Sequence, residues 1–492
     1  MNPNSPLQDL YKQCQQIYHL KALSGLASWD QETFMPSGAG AARAEMASTI
    51  ETEIHRRYTE PKLYDQVLKA QSSSQLDQSD KAFLREFKKD IEKYTLIPSS
   101  LASEIGYQNS MSQQIWAQVR QGKAPRSEFD HSLKEIIRLK KLEADCLKSA
   151  NQSPYEALLQ QYEPDFKLSE FNQFFQEIIP TIQDLVSSHS ISSGHQSSGI
   201  EKLTAQQQKE LSRLIIQKMG FNFEHGRLDP SEHPFTMGLN PFDVRLTERN
   251  RNHHPLEFIY TNLHEGGHGL YEQGLPQKWA FTPIAEARSL GLHESQSRLW
   301  ENNVGRSRGF MEWISKEIKD RYSLEVHTEQ LWQEANTIQP SFIRVDADEV
   351  TYNLHIYLRF NIEQKLFSGE IETSQIHDVW NEEFYKLFNR KVEDTSLGYL
   401  QDVHWSCGLF GYFPTYTLGN LIAAQLFERF QSLYPQWDQE LSKGNWETLG
   451  HWLKAHIHQH GRSKSSPQII QETTSSTLDS KFFTGYLTHK FA

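Results

Sequence analysis

Cysteine is scarce in this sequence, long apolar runs are missing, and positive charge is outnumbered. Cys14, Cys146 and Cys407 are the only three cysteines in 492 residues. An odd count at such wide spacing excludes a disulfide framework and suggests a reducing compartment. No stretch approaches the roughly 20 apolar residues of a membrane span, and Met1 to Ser5 lacks the charged and apolar regions of a signal peptide. The expected location is therefore the cytoplasm, with no membrane partner. Fifty Lys and Arg stand against 62 Asp and Glu, a net charge of -12. With no basic block present, that balance disfavours nucleic acid as a partner.

What is present is mostly helical. From residue 6 to 95, apolar residues recur at helical spacing, as at Leu10, Cys14, Ile17 and Tyr18, then Ala42, Met46, Ile50 and Ile54. Met35-Pro36-Ser37-Gly38 reads as a turn, and Pro98 as a second break with Ser99 or Ser100 as N-cap. Helical segments continue from 126 to 186, with boundaries expected at Pro164-Asp165 and Pro180. Residues 187 to 199 are small, polar and aperiodic, which predicts a loop whose two histidines, His189 and His195, are not ligands. From His233 to Thr247, Phe235, Met237 and Leu239, then Phe242, Val244 and Leu246, alternate at period two. That predicts one or two short strands. Asp243 and Arg245 there read as a structural ion pair. A long helix is expected from about Ala347 to Phe367. In the last hundred residues, His451, His456, His458 and His460 read as surface, and Thr473 to Thr477 as a loose stretch.

The chemistry concentrates at His264-Glu265-Gly266-Gly267-His268. Four residues apart on a helix, His264 and His268 share a face and can point at one cation. Glu265 is placed to take a proton from a water activated there. Gly266, Gly267 and Gly269 crowd one turn at about 1 kcal/mol each relative to Ala. Either close packing of a neighbouring helix or room for substrate can offset that. A catalytic zinc needs a third ligand. Glu294 is the best placed, 26 residues beyond His268, with Arg298 at i+4 to hold it. By spacing alone His293 competes.

The two segments HEGGHGLYEQG (264–274) and GLHESQSRLWENNVGRSR (291–308) resemble the carboxypeptidase Taq family of HExxH metallocarboxypeptidases. Further motifs of that family stand in order: His233-Pro234-Phe235, Asp243-Val244-Arg245-Leu246-Thr247, Ile343 to Asp348, and Gly398 to Trp405. The similarity runs from Trp29-Asp30-Gln31-Glu32 to Lys481-Phe482-Phe483. Gly269 and the stretch near Thr473 differ from the family's expected pattern, which touches helix packing and the tail rather than chemistry.

The resemblance implies a large, mainly α fold with a deep substrate groove and a small β-sheet near the metal helix. It implies a single catalytic unit over 1–492, with residues 1–100 forming a groove wall and 230–420 the active-site core. It also implies a homodimer binding one zinc, or cobalt, per subunit through His264, His268 and Glu294. The activity implied is release of single C-terminal residues from peptides, with broad side-chain preference and poor release of proline.

An enzyme of that kind needs donors for an oxyanion and a fixed cation for the substrate's terminal carboxylate. His404 and Tyr416 are the choices for the first, by resemblance to zinc peptidases that pair a late histidine with a late tyrosine. Tyr412 is a substrate contact, and so is His233. By resemblance Arg344 binds the carboxylate; from spacing alone it can equally pair with Asp346 or Asp348, and Arg359 and His355 are weaker candidates. An endopeptidase with the same machinery and a catalytically silent binding protein are the rival readings.

Overall fold

The computed structural model describes residues 7–189, 197–249 and 254–491. Met1 to Ser5, read as lacking the features of a signal peptide, and His195, read as a loop residue that is not a ligand, lie outside the described residues. The N-terminal fifth is built from α1 (Gln8–Thr33), α2 (Gly40–Tyr58), α3 (Pro61–Gln71) and α4 (Gln78–Leu96). Asp77 caps α4 by accepting from the Asp80 N–H over 2.7 Å. Leu10, Cys14 and Ile17 of α1 pack on Phe83, Phe87 and Ile91 of α4, with Trp279 and Ile284 closing this smaller core. The stripe expected on α2 is only half used. Ile54 is buried, but Ala42 and Met46 face solvent.

Beyond it lie α5 (Ser99–Arg120), α6 (Arg126–Leu147), α7 (Pro154–Leu159), α8 (Leu168–Ser188) and α9 (Ala205–Met219). Two punctuation signals fall differently from their expected use. Pro98 itself holds the cap position of α5, with no side-chain cap. Pro180 lies inside α8; it and Gln176, whose carbonyl loses its usual partner there, are both exposed, so water can take the bond.

The sheet has the order β1-β3-β2, with β1 (Gly226–Pro230) parallel and β2 (Thr236–Asn240) antiparallel to β3 (Asp243–Glu248). The alternation at 235–246 marks β2 and β3, whereas β1, ending in proline, carries none. Val244 and Leu246 point into a small core with Ile216 and Phe221. Arg245 binds Asp243 over 2.9 Å and lies 4.3 Å from the Trp29 ring, tying the sheet to α1.

Next come α10 (Pro255–Gly274), α11 (Leu290–Arg298), α12 (Arg308–Tyr322), α13 (Thr328–Ala335), α14 (Tyr352–Ser368), α15 (Ile376–Phe388) and α16 (Pro414–Leu433). α14 starts later than the expected Ala347. Asp348 accepts from the N–H groups of Val350 and Thr351 and from the Thr351 hydroxyl, which winds residues 348–351 into a turn first. α16 packs along α11, and the large core they share with α8, α10 and α14 fills the centre of the molecule.

The tail is better anchored than its composition suggests. Gln425 of α16 donates to Thr474, Ser476 and the Thr477 carbonyl. His458, expected on the surface, is 2% exposed and sits 2.9 Å from Gln296; His451 and His456 are exposed. No helix among the described residues is long and apolar enough to cross a membrane.

Candidate metal centre and carboxylate site

α10 begins with Pro255 in its first turn, where the missing N–H costs nothing. It carries the glycine-rich turn through the middle of the core. A Cβ on Gly267 would stand 2.6 Å from the Gln296 carbonyl oxygen and 2.7 Å from Ser297 Cα. The backbone of α11 therefore rests directly on α10 at this point. Gly266 and Gly269 admit Met219, and Leu246 with Phe221, in the same way. Close packing, rather than space for substrate, accounts for the three glycines, and it brings α11 to within metal-ligand reach of α10.

That approach sets Glu294 Oε2 3.6 Å from His264 Nε2 and 3.3 Å from His268 Nε2. The three ligand atoms all lie within 4.8 Å of one another. Ligands bonded to a tetrahedral zinc at about 2.0–2.1 Å stand roughly 3.3 Å apart, so this nitrogen, nitrogen and oxygen set fits such an ion. Burial pushes His268 down to about 3, the neutral form a ligand needs. Burial opposes the charge on Glu294, but Arg298 and His264 outweigh it, and the carboxyl stands well below its usual range. Arg298 Nε donates to Glu294 Oε1 over 2.6 Å. His293 is directed elsewhere: its Nε2 lies 2.8 Å from Glu272, and its ring stacks on His268 at 4.4 Å.

α11 does not end as an α-helix. Leu299–Val304 continues it as a π-helical turn, a local widening common at functional sites. Glu301 within this turn meets His264, Nδ1 donating to Oε2 over 2.8 Å. Burial works against this carboxylate too, but Arg298 overcomes it and holds the carboxyl at about 2. Glu265, buried on the same helix, accepts from Thr236 Oγ1 of β2 over 2.7 Å. Its carboxyl is raised by burial.

A groove of about 880 Å³ opens over these residues, with His264, Glu265, Arg298, Glu301, Tyr352 and Arg344 in its lining. Arg344 pairs with neither Asp346 nor Asp348 as its partner of shortest contact; its Nε and Nη2 bind Asp402 Oδ1 at 3.1 and 2.8 Å. Arg359 Nε binds the other oxygen of Asp402 at 2.8 Å. Two guanidinium groups thus share one carboxylate. Burial opposes its charge, yet Arg344 and Arg359 hold Asp402 far below the usual range. Arg344 Nη1 also donates to the Tyr352 hydroxyl over 2.9 Å, and the Arg298 guanidinium lies 4.3 Å from the Tyr352 ring. Tyr352 therefore bridges Arg298, which holds Glu294, to Arg344.

His404, Tyr412 and Tyr416 gather on the far side of Arg344. His404 Nε2 is 3.4 Å from the Tyr416 hydroxyl, and the Tyr412 and Tyr416 rings meet at 5.5 Å. The Arg344 guanidinium is 5.3 Å from the Tyr416 ring. Burial, then the charge of Arg344, pushes His404 down to about 3. His355 is fully buried behind this cluster. His233 stands apart, exposed, although its neighbour Pro234 lines the groove. Glu301, Thr236, Tyr352 and Asp402 carry contacts to which spacing assigned no role. Glu301, seven residues and two turns beyond Glu294, was the one such signal within reach.

The carboxypeptidase Taq (M32) metallopeptidase family matches residues 9–491. The chain belongs to this family. Thermostable carboxypeptidase 1 of Thermus thermophilus is 34% identical, covering 100% of this chain and 99% of its own. Carboxypeptidase 1 of Bacillus subtilis is 30% identical, covering 99% and 98%. Among solved structures, the M32 carboxypeptidase of Deinococcus radiodurans superposes with a TM-score of 0.94 at 28% identity, covering 98% of each chain. A Pyrococcus furiosus carboxypeptidase does so with 0.94 at 30%, covering 99% of each. The protein is a mainly α metallocarboxypeptidase, as the sequence motifs led one to expect.

Proposed function

We propose that this metallocarboxypeptidase holds one zinc ion, or cobalt, per subunit on His264, His268 and Glu294, and removes single residues from peptide C-termini in the groove above them. A cation bound there supplies Lewis acidity and makes water a stronger acid. Glu265, oriented by Thr236, takes the proton of the attacking water and delivers it to the leaving amine. The neutral His404 and the Tyr416 hydroxyl donate to the developing oxyanion. Tyr412 contacts the substrate beside them, and His233 contacts it at the groove's outer edge.

The observation that carries the reading is that Arg344 and the His264–Glu265 pair line one groove, fixed relative to each other through Tyr352. Arg344 spends its Nε–H, one Nη2–H and one Nη1–H on Asp402 and Tyr352. Of the five hydrogens of a guanidinium, one remains on each terminal nitrogen to donate to a substrate carboxylate. We read the chain as a single catalytic unit, a homodimer located in the cytoplasm, of broad specificity and slow at C-terminal proline.

The test is mass spectrometry of a free peptide and its C-terminally amidated twin, each incubated with the metal-loaded enzyme and with Glu265→Gln. A C-terminal ladder from the free peptide alone, lost in the variant, supports the reading. Internal cuts in both peptides would make it an endopeptidase.

A further inference from the structure

We infer that Glu363 is a positioning residue for the reaction, fixing the loop that presents His404 and Tyr412 and leads into Tyr416 at the start of α16. The inference rests on the roles proposed above for those three residues. Glu363 is fully buried in α14, among aromatic side chains such as Phe360 and Phe367. A carboxylate in such a place costs several kcal/mol unless its lone pairs are satisfied. Here they are, by groups from separate parts of the chain. Trp405 Nε1 donates to Oε1 over 2.7 Å. The Gly411 N–H and the Tyr155 hydroxyl donate to Oε2 over 3.0 and 2.8 Å.

Two of those donors lie within the loop, between His404 and Tyr412. Trp405 follows His404, and Gly411 precedes Tyr412. Arg359, one helical turn before Glu363 on the same face of α14, grips Asp402 on the other side of His404. One turn of one helix therefore holds the loop at Asp402, Trp405 and Gly411. Gly411 has no slack of its own. Its φ is 77°, and a Cβ would stand 2.6 Å from the Leu159 nitrogen, so its N–H is aimed at Glu363 by a backbone that cannot turn away. Packing alone would be met by an apolar residue at 363. What the carboxylate adds is direction, since it accepts from both ends of the segment that joins His404 to Tyr412.

Glu363→Gln keeps the size but sets an NH₂ against one of the donors. Trp405→Phe removes one tie from the loop's side and leaves Glu363 in place. With full-length, metal-loaded protein, kcat and KM for release from a free peptide are measured with Tm and metal content. For each variant kcat falls roughly ten- to a hundredfold, as misplaced catalytic groups cost. Metal content stays within about twofold because the metal ligands are untouched, and KM rises by a smaller factor than kcat falls, because Arg344 still holds the terminal carboxylate while only the Tyr412 contact is loosened. The double variant is no worse than the worse single one, since both break the same link.

A kcat within about twofold of the parent in both variants, even with a lowered Tm, overturns the inference; so do effects that multiply. If Glu363→Gln does not fold, Trp405→Phe decides alone. His404→Ala and Tyr416→Phe run in parallel. If they lower kcat while the other two do not, the roles stand and this inference falls. If they leave kcat unchanged, the roles fail and take this inference with them.

Discussion

One oxygen of Glu301 accepts the Nδ1–H of His264 over 2.8 Å, and Arg298 reaches Glu301 and Glu294 together. The bond fixes the tautomer, leaving Nε2 of His264 as a lone pair turned towards Glu294. Outer partners of this kind raise ligand basicity and hold the ring, and losing one typically costs 10–100-fold in metal affinity. Glu301→Gln should therefore weaken metal binding by about that factor while leaving the three ligands intact. Competition against a chelator of known affinity reads the change, and a variant that holds metal as tightly as the parent would sink the argument.

Thr236 reaches across from β2 to hold Glu265. Glu265→Gln keeps the shape of the side chain but cannot accept a proton, so kcat should fall by roughly 10²–10⁴-fold with metal content unchanged. Thr236→Val keeps the base and loses its support. A smaller loss, about tenfold, is expected from it, together with a change in the pH dependence of kcat that Glu265→Gln has no base left to show. Equal losses in the two variants would mean that Thr236 does more than orient.

The parts of this site that could be read from the sequence are those in which chemistry and chain order coincide. His264 and His268 are one helical turn apart, and Glu294 with Arg298 is another such pair, so spacing alone brings each pair together. Arg344 was legible only as a cation in search of a carboxylate. Its partner Asp402 is 58 residues away, and Asp402 is shared with Arg359 from a third element; no local pattern encodes a three-body contact. The π-helical turn that aims Glu301 has no composition of its own, and β1 pairs in parallel with β3 without the alternation that marks the other two strands. Pro180 shows the opposite failure. A strong local breaker is overridden because its lost hydrogen bond faces water on a helix whose other face buries Phe171, Phe175, Ile178 and Ile182.

Because Asp402 orients the Arg344 fork, charge alone should not suffice at position 344. Arg344→Lys keeps a cation but loses the planar fork that binds Asp402, Tyr352 and a ligand at once. Discrimination between a free peptide and its amide, expressed as a ratio of kcat/KM, should collapse by roughly 2–3 kcal/mol, the scale of a charge-assisted bond. Asp402→Asn should give part of that loss by releasing both arginines. A lysine variant that still prefers the free peptide as strongly as the parent would assign the carboxylate to another group.

Glu163, at the N-terminal end of α11, offers a test of stability against pH. It is fully buried, accepts the Gly291 N–H, and has its second oxygen, Oε2, without a hydrogen-bond partner. Burial pushes its carboxyl up to about 8. A carboxyl raised in the folded state binds its proton more tightly there than in the unfolded chain. Its stabilisation is complete below the unfolded pKa, near 4.3, and is lost as pH rises through about 8. Each unit of that difference is worth about 1.4 kcal/mol, so the loss amounts to about 5 kcal/mol at most. Glu163→Gln carries no proton to lose and keeps an acceptor for Gly291. Its Tm relative to the parent should therefore rise from pH 5 to about pH 8 and level off by pH 9. A Tm difference that is flat across that range would mean that Glu163 ionises in place and that its surroundings already compensate the charge.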